Sequence, residues 1–212
     1  MTQVTSAARS PSRRNSRGEN TRAKLLEAAL QSFASHGFHG TSTRDIAEAA
    51  SMSPTSVYVH YATKEELLFQ LSLAGHQDVQ TVVERAATGA TDPGVQLREV
   101  TREYTAWHAR RHTMARVVQY EMAALTPQHS AQIAGVRREI QGLFERIIAA
   151  GAESDRFRLQ NPPMTVLAVV SLGIDVARWY REGGAWTPEQ VGEHYGELAL
   201  RMVGSTSTGP PV

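Results

Sequence analysis

A run of short, mostly polar side chains opens one predicted helix, where Pro54, Thr55 and Ser56 follow Ser53. Base edges lie deep in the major groove of DNA, so a surface that contacts them must be uncrowded and able to form hydrogen bonds. Small polar residues at the beginning of a helix meet both needs. Arg44 adds a planar guanidinium that suits the O6 and N7 atoms of a guanine, or a phosphate. This segment therefore predicts contact with nucleic-acid bases.

Donors suited to the DNA backbone surround that segment. The side chains expected to contact phosphates are those of Thr43, Tyr58, His60 and Lys64. Ser42 and Ser53, at the predicted helix starts, complete the DNA-binding set. A positive charge at a helix start, as at Lys64, is locally unfavourable unless an anion binds there. The position of Lys64 is thus a small additional indication of phosphate binding.

Three short helices are expected to position these groups. Apolar spacing predicts a first helix over residues 21–35, with Gly37 closing it. Ser42 and Asp45 form a capping-box pattern that begins a second helix. Ser53 caps a third, which opens with proline and ends near residue 61. Two helices joined by a tight turn and braced by another make a helix-turn-helix, whose second helix enters the major groove.

The remaining sequence predicts further helices and no sheet, which makes the fold class all-α. Val57 and Tyr61 are expected to turn toward the core of the first part. The later helices are expected at about 64–87, 95–110, 113–124, 127–150, 162–181 and 188–203. The apolar run 164–177 is too short to span a bilayer and predicts a buried helix.

Composition limits the classes of protein. Of the 212 residues, 41% are hydrophobic and none is cysteine, which supports a buried core and is compatible with a reducing cytoplasm. Residues 1–64 carry eight Lys or Arg against four Asp or Glu, whereas the remainder carries fourteen against seventeen. The basic part thus coincides with the predicted helix-turn-helix. No secretory signal is recognisable, and a cytoplasmic location without membrane association is expected.

An enzyme is the main alternative class. The sequence contains no G-x-S-x-G, no glycine-rich phosphate loop, no H-E-x-x-H and no cysteine nucleophile. His108 and His112 share a helix face, yet no carboxylate is obviously placed to join them on a metal, so a solvated or capping role is favoured. We therefore expect no catalytic residues, no metal and no cofactor.

Residues 21–71 resemble the DNA-binding domain of the TetR (tetracycline-repressor) family. The matching segments are Ala28–Phe33, Gly37–Phe38, Thr41–Ala47, Ser53, Val57–Tyr58, His60–Tyr61 and Lys64–Leu68. The resemblance implies a three-helix DNA-binding domain followed by a larger helical domain for effector binding and dimerisation. It also implies that the four donors named above touch phosphates, while Arg44 and Pro54–Ser56 face bases. Its function would be that of a repressor acting as a homodimer on palindromic operator DNA.

Two positions depart from the family pattern. Ser51 stands where a glycine is usual in the turn, and Ala62 replaces a proline or asparagine. If residue 51 is left-handed, a serine there costs on the order of 1 kcal/mol. Replacing it by glycine is then expected to raise the melting temperature.

The resemblance implies a ligand cavity in the C-terminal part, where a small-molecule effector would bind. Aromatic side chains supply apolar walls with polar tips, and an arginine fork suits a carboxylate or phosphate. The candidate ligand-binding residues are Tyr104, Trp107, His108, Arg111, Tyr120, Phe144, Ile148, Arg178 and Trp179. Ordinary core or surface packing is the alternative reading for each of them.

The last two long helices are the candidates for dimerisation. Gly192, Gly196 and Ala199 share a helix face that would let a partner subunit approach closely, with Tyr195, Leu198 and Met202 around it. The alternative is that these small residues pack within the subunit.

The segments 108–127 and 178–189 are similar to TetR-type regulators of lipid and sterol catabolism, which implies an acyl-CoA thioester as effector. The expected organisation is a disordered basic tail over 1–19, a DNA-binding domain over 20–66, an effector-binding and dimerisation domain over 67–204 and a flexible tail over 205–212. A helical protein-interaction module, or an activator with the same DNA-binding domain, remains an alternative.

Overall fold

The computed structural model describes residues 13–205, with side chains from residue 18 onward. It is built from α-helices, and no strand lies in that range, which confirms the all-α prediction. The helices are α1 (Arg13–Gly40), α2 (Thr43–Ala49), α3 (Pro54–His60), α4 (Lys64–Thr88), α5 (Pro93–Arg110), α6 (His112–Glu121), α7 (Pro127–Glu153), α8 (Pro162–Trp179) and α9 (Pro188–Met202), with a 3-10 turn at Met122–Ala124 after α6. The chain divides into two compact units, one up to Leu67 and one from Leu68.

Local signals account for most helix starts. Five of the described helices, α3, α5, α7, α8 and α9, have a proline in their first two positions, where no N–H partner is lost. Each of these is also capped by the residue before it, whose side chain accepts a hydrogen bond from a backbone N–H of the first turn. Helix α2 carries the predicted capping box between Ser42 and Asp45.

The first unit buries its apolar residues beneath α2 and α3. Leu25, Ile46 and Val57 are fully enclosed, and Tyr61 is buried beside them, as the sequence predicts. Helix α1 is interrupted at Gly37, whose φ of 71° lies in the region that favours glycine. The Thr41 hydroxyl donates to the Gly37 carbonyl at 2.8 Å and ties the following turn to this break.

The turn between α2 and α3 contains a left-handed serine. Ser51 has φ of 56°, which is the left-handed conformation that favours glycine. The Cβ atom of serine is crowded by the backbone in this region, so the turn is strained. Asp155, in the second unit, is the other non-glycine residue with positive φ among those described.

The second unit has a core of aliphatic and aromatic side chains from α4, α5, α7, α8 and α9. Phe144 and Ile148 of α7 are fully enclosed there, and the Tyr104 ring meets that of Phe144 edge-on with centroids 5.4 Å apart. The apolar segment of α8 is buried along one side, through Val166, Val169 and Val176. No helix in the described part of the chain is long and apolar enough to cross a membrane.

The glycines of α9 pack within the subunit, so the prediction that they let a partner subunit approach closely is wrong. A Cβ atom on Gly192 would lie 2.5 Å from the Arg102 carbonyl oxygen, and one on Gly196 would lie 2.9 Å from that of Arg98. Ala199 is buried in the same core. These small residues allow α9 to approach α5 closely, which is the alternative that the sequence left open.

The N-terminal helix begins earlier than expected. Helix α1 starts at Arg13, so residues 13–19 are helical and do not belong to a disordered tail. Arginine and glutamate are good helix formers, and the stretch after Pro11 contains several. The rest of the predicted N-terminal tail, residues 1–12, and the C-terminal tail from residue 206 lie outside the described residues.

Candidate functional site

The N-termini of α2 and α3 are fixed by serine caps. The Ser42 hydroxyl accepts from the Asp45 backbone N–H at 3.2 Å, and the Asp45 carboxylate accepts from the Ser42 N–H at 2.7 Å. Because the Ser42 N–H donates to the carboxylate, the pKa of Asp45 lies below its usual value. The Ser53 hydroxyl caps α3 by accepting from the Ser56 N–H at 3.3 Å. Both caps are exposed, so their role in the helix starts leaves them facing water.

One side of α3 is buried and the other is open to solvent. Val57 is fully enclosed, whereas Tyr58 is 55% exposed and Val59 is 75% exposed. Pro54 and Thr55 are exposed at the start of the helix. Helix α3 therefore presents a short polar face with one isolated aliphatic side chain.

A hydrogen bond joins this face to the start of α2. The hydroxyls of Thr43 and Tyr58 lie 2.9 Å apart, so one donates to the other. Arg44, next in the chain, is exposed, and His60 at the end of α3 is half-buried. The arrangement gathers hydroxyl, imidazole and guanidinium groups on one side of the first unit.

Lys64 has a different position from the one expected. Its ammonium donates to the carbonyl oxygens of Phe38 and Thr41, both at 2.6 Å, and lies 4.2 Å from the centre of the Phe38 ring. The charge at the start of α4 is thus compensated by carbonyls of the preceding segment. The inference that this lysine needs an anion is therefore wrong, although a phosphate contact through its remaining donor stays a prediction.

A cavity opens among α4, α5, α6, α7 and α8 in the second unit. About 700 Å³ of empty space lies between its walls, counted out to the mouth and including open solvent. Its walls are largely apolar and include Val79, Met114, Ile140, Val170 and Ile174. Three of the predicted ligand-binding residues, Tyr104, Trp107 and His108, line it.

The other six predicted ligand-binding residues lie elsewhere. Phe144 and Ile148 are fully enclosed in the core, one to two turns along α7 from the lining residues Ile140 and Gln141. Tyr120 is 60% exposed because α6 turns Val118 toward the cavity and this tyrosine away from it. Arg111 is an exposed residue at the end of α5.

The remaining two lie at the end of α8, beyond the part of this helix that borders the cavity. Arg178 forms a two-pronged pair with Asp175, at 2.7 and 2.8 Å, and is exposed. Trp179 packs against a separate apolar cluster that contains Val176 and Tyr180. Neither side chain lines the cavity.

Two histidines of the cavity are held in the same way. The Nδ1 atom of His108 lies 2.8 Å from the Tyr104 carbonyl oxygen, and Nδ1 of His76 lies 2.7 Å from that of Ser72. Burial lowers the pKa of His108 to about 4 and also lowers that of His76. Burial raises the pKa of the Tyr104 hydroxyl. All three groups are therefore neutral at pH 7.

Trp107 is fixed from outside the cavity. Its indole N–H donates to the Asp78 carboxylate at 2.8 Å, and its ring meets the His108 ring edge-on at 5.1 Å between centroids. The cavity therefore has a rigid aromatic wall. Arg137, in contrast, is an exposed lining residue whose guanidinium contacts the sulfur of Met122 at 3.2 Å.

Both parts of the chain match known protein families. Residues 25–71 match the family described as bacterial regulatory proteins, tetR family. Residues 90–203 match the family described as tetracyclin repressor-like, C-terminal domain. The chain belongs to the TetR family. The prediction of a TetR-family helix-turn-helix regulator is thereby confirmed.

Individual TetR proteins align over most of the chain. The HTH-type transcriptional repressor KstR2 of Mycobacterium tuberculosis is 32% identical over 197 residues, which are 89% of this chain and 94% of KstR2. The crystal structure of a tetR-family regulatory protein from Rhodococcus RHA1 is 40% identical with a TM-score of 0.83, covering 88% of this chain and 98% of the other.

The crystal structure of AibR in complex with isovaleryl coenzyme A and operator DNA has a TM-score of 0.77 at 21% identity. The match covers 87% of this chain and 99% of the AibR chain. At that identity the likeness concerns the fold alone. The TetR fold thus extends over both units of the chain.

In this TetR chain, several residues of the exposed α3 face and of the cavity lining were not predicted from the sequence. Val59 was overlooked because an aliphatic residue in a short helix is ordinarily assigned to the core. His76 and Val79 of α4 were missed, although they follow Ser72 at helical spacing and a stripe at such spacing marks an inward face. Arg137 and Gln141 lie among exposed polar residues of α7, and no local signal separates them from an ordinary solvated surface.

Proposed function

We propose that this TetR-family chain is a dimeric transcriptional repressor that leaves its operator when a small molecule occupies the cavity of the second unit. The observation that carries the proposal is the presence, in one chain, of an exposed polar helix face and an apolar cavity with buried polar groups. Each corresponds to one half of such a function. Because a repressor acts on chromosomal DNA, the proposal includes a cytoplasmic location.

The proposed DNA-binding surface is the outer side of α2 and α3. Arg44, Pro54, Thr55 and Ser56 would face base edges, since they are small or planar and lie at helix starts. Tyr58, with its hydroxyl bonded to Thr43, is held in a position suited to a phosphate. The remaining members of the proposed surface are Ser42, Ser53, His60 and Lys64.

The exposed Val59 extends this proposal. An aliphatic side chain that is 75% exposed contributes little to folding, yet it matches the methyl group of a thymine in the major groove. We assign it to the base-contacting set beside Thr55.

The proposed dimer interface is the outer side of α8. Met164, Leu167 and Leu172 are 61%, 48% and 43% exposed and lie on one side of this helix, opposite its buried valines. A row of exposed apolar side chains suits a self-complementary two-fold contact. Two copies related in this way would present two α3 helices to a palindromic operator.

The proposed effector is an acyl-CoA thioester, with its acyl chain in the cavity. The apolar walls suit an acyl chain, and the guanidinium of Arg137, for which no carboxylate partner lies in residues 18–205, suits an anionic group at the entrance. AibR, a protein of the same fold, was solved with isovaleryl coenzyme A. The effector must bind more tightly to the conformer that does not fit DNA, because only this difference in affinity releases the operator.

The test uses fluorescence anisotropy on DNA from upstream of the chain's own gene and its neighbours. We expect affinity to fall steeply with salt, with a log–log slope of about −0.9 per phosphate neutralised. Arg44→Ala should weaken binding about tenfold or more, whereas Arg138→Ala, an exposed arginine of the second unit, removes the same charge and should have little effect.

A series of acyl-CoA thioesters of increasing chain length is then titrated into the complex. At least one member should release the DNA. Binding that is insensitive to Arg44→Ala would contradict the DNA-binding surface, and failure of every thioester would contradict the effector. Raised transcription in the presence of the chain would favour the alternative of an activator.

A further inference from the structure

We propose that the inner end of the cavity binds a hydroxyl group on the apolar body of an anionic amphiphile, with His76 and His108 as the hydrogen-bond acceptors. This inference rests on the cavity being the effector site of the proposed function and specifies the chemistry of the effector. The anionic group of the same molecule lies at Arg137. The assignment follows from which nitrogen of each histidine carries a proton.

The hydrogen bonds to the helix backbone fix that proton. A carbonyl oxygen only accepts, so the short contacts from Nδ1 of His108 to the Tyr104 oxygen and from Nδ1 of His76 to the Ser72 oxygen require an N–H at Nδ1. A neutral imidazole has only one N–H group. Each Nε2 atom therefore carries a lone pair and acts as an acceptor.

Burial keeps both rings neutral. His108 is 7% exposed and its pKa is about 4, and the pKa of His76 is lowered for the same reason. Tyr104 and Trp107, which flank the His108 ring at 4.5 and 5.1 Å, supply no charge at pH 7. Among the lining residues, Arg137 carries the charge, and its effect is to oppose protonation of His76 further.

Both Nε2 atoms are accessible and unpaired in the described structure. Neither has a hydrogen-bond partner within residues 18–205, and neither belongs to the side-chain atoms there that are sealed off without a partner. Both residues line the cavity, and in the proposed arrangement their lone pairs face its empty space. The Tyr104 hydroxyl likewise has no partner in the described structure and adds a group that both donates and accepts.

The cavity is thus polarised along its depth. Arg137 is exposed and therefore near the entrance, whereas His108 is almost fully enclosed. A methyl group at the inner end leaves two acceptors unpaired, and a carboxylate there meets two lone pairs after losing its hydration. A hydroxyl donates to one of the acceptors and satisfies it. The inner end therefore selects a donor over an alkyl or an anionic group.

The test compares three matched probe series on the full-length protein. These are straight-chain alkanoic acids from hexanoate to hexadecanoate, their ω-hydroxy derivatives, and the corresponding α,ω-dicarboxylic acids. Calorimetry gives the dissociation constants, and Trp107 in the cavity wall provides a fluorescence signal. At the chain length that spans the cavity, we expect the ω-hydroxy acid to bind about tenfold more tightly than the alkanoic acid. The dicarboxylic acid should bind most weakly.

The variants His76→Asn and His108→Asn retain an N–H donor but are too short to place an acceptor at the Nε2 position. Each should reduce the preference for the hydroxyl, measured as the ratio of the two dissociation constants, and the double variant should remove most of it. His112→Asn is the matched control, since Nδ1 of His112 makes the same kind of contact, to the Ala109 oxygen at 3.0 Å, outside the cavity lining. It should leave the preference intact.

Equal binding of hydroxylated and plain acids, preference for the dicarboxylic acid, or no binding of any probe would overturn the inference. A hydroxyl preference that survives both histidine variants would overturn it as well. These outcomes are separate from DNA release: a hydroxyl preference without any release of DNA by acyl-CoA supports the inference and contradicts the proposed function. Release by acyl-CoA without a hydroxyl preference does the reverse.

Discussion

In the unit that ends at Leu67, the polar groups of the proposed site stand in water, whereas in the unit that begins at Leu68 those of the cavity are enclosed. Tyr58 is 55% exposed, and His108 is 7% exposed. Exposed groups lose little hydration before they meet DNA, so many moderate contacts add up. Enclosed groups have already lost their hydration, so one unmatched group on a ligand is costly.

The difference indicates how the first site would discriminate between DNA sequences and the second between small-molecule ligands. The first unit holds its side chains through caps and a hydroxyl pair at the surface, and recognition there would depend on the shape and hydrogen bonding of the DNA groove. The second unit holds its histidines through the carbonyls of their own helices, and recognition there depends on burial. Substitutions should therefore act differently in the two units, and the following measurements test that expectation.

Phe144→Ala should give the largest effect, because it removes a fully enclosed ring from the core of the second unit. We expect a loss of about 3–5 kcal/mol in the free energy of unfolding. Urea unfolding followed by tryptophan fluorescence measures it, since Trp107, Trp179 and Trp186 all lie in this unit. Tyr120→Ala, at an exposed position of the same unit, should change stability by less than about 0.5 kcal/mol. Similar effects of the two substitutions would contradict the assignment of core and surface.

Acid should destabilise the protein through His108. Its folded pKa of about 4 lies below the unfolded value of about 6.5, so the unfolded chain binds the proton first as pH falls. Stability is therefore unaffected above about pH 6.5, falls between pH 6.5 and 4, and loses about 3 kcal/mol in all. His108→Asn should remove this part of the pH dependence in urea titrations at a series of pH values. Parallel curves for the variant and the original chain would show that this histidine is not buried as described.

Lys64→Met should destabilise the first unit by about 2 kcal/mol, because it removes two charged hydrogen bonds to the Phe38 and Thr41 carbonyls. It should also weaken DNA binding more than Lys24→Met does, a variant that removes an exposed lysine of the same unit and should hardly alter stability. Thermal unfolding by circular dichroism and anisotropy with DNA separate the two roles. A large loss of affinity with unchanged stability would restore Lys64 as mainly a phosphate contact.

The smallest expected effect is the gain in stability when a left-handed residue is replaced by glycine, which can be compared between the two units at Ser51 and Asp155. Ser51→Gly should stabilise the first unit by about 1 kcal/mol and raise its melting temperature by a few degrees. Asp155→Gly, at the same φ of 56° in the second unit, should gain less, because aspartate tolerates this conformation better than serine does. An unchanged or lowered melting temperature for Ser51→Gly would contradict strain in the turn between α2 and α3.

The local parts of this structure were predictable from the sequence. Prolines and capping residues define the starts of α2, α3, α5, α7, α8 and α9, and each signal acts within one helical turn. The capping box at Ser42 and the turn at Ser51 are of this kind. Apolar spacing along the chain supplied the all-α fold, and family resemblance supplied the TetR family, which no local pattern contains.

The cavity was only partly predictable, because its wall is assembled from five helices. Tyr104, Trp107 and His108 lie about one turn apart on the same face of α5, and the sequence predicted them together. His76 and Arg137 reach the same cavity from α4 and α7. Small residues such as Gly192 and Gly196 suit a contact within a subunit as well as one between subunits, and their sequence does not distinguish the two. Lys64 was misread for the same reason, since its carbonyl partners lie more than twenty residues away in the chain.

The central claim, that the exposed face of α3 reads DNA as part of a two-fold pair, is tested most directly by selecting duplexes from a random pool with the full-length protein. We expect enrichment of a palindromic site whose half-sites are about 34–36 Å apart, one turn of DNA. With Arg44→Ala the same selection should lose its preference at one position in each half-site. Recovery of no common sequence, or of a single half-site without its symmetric partner, would contradict the claim.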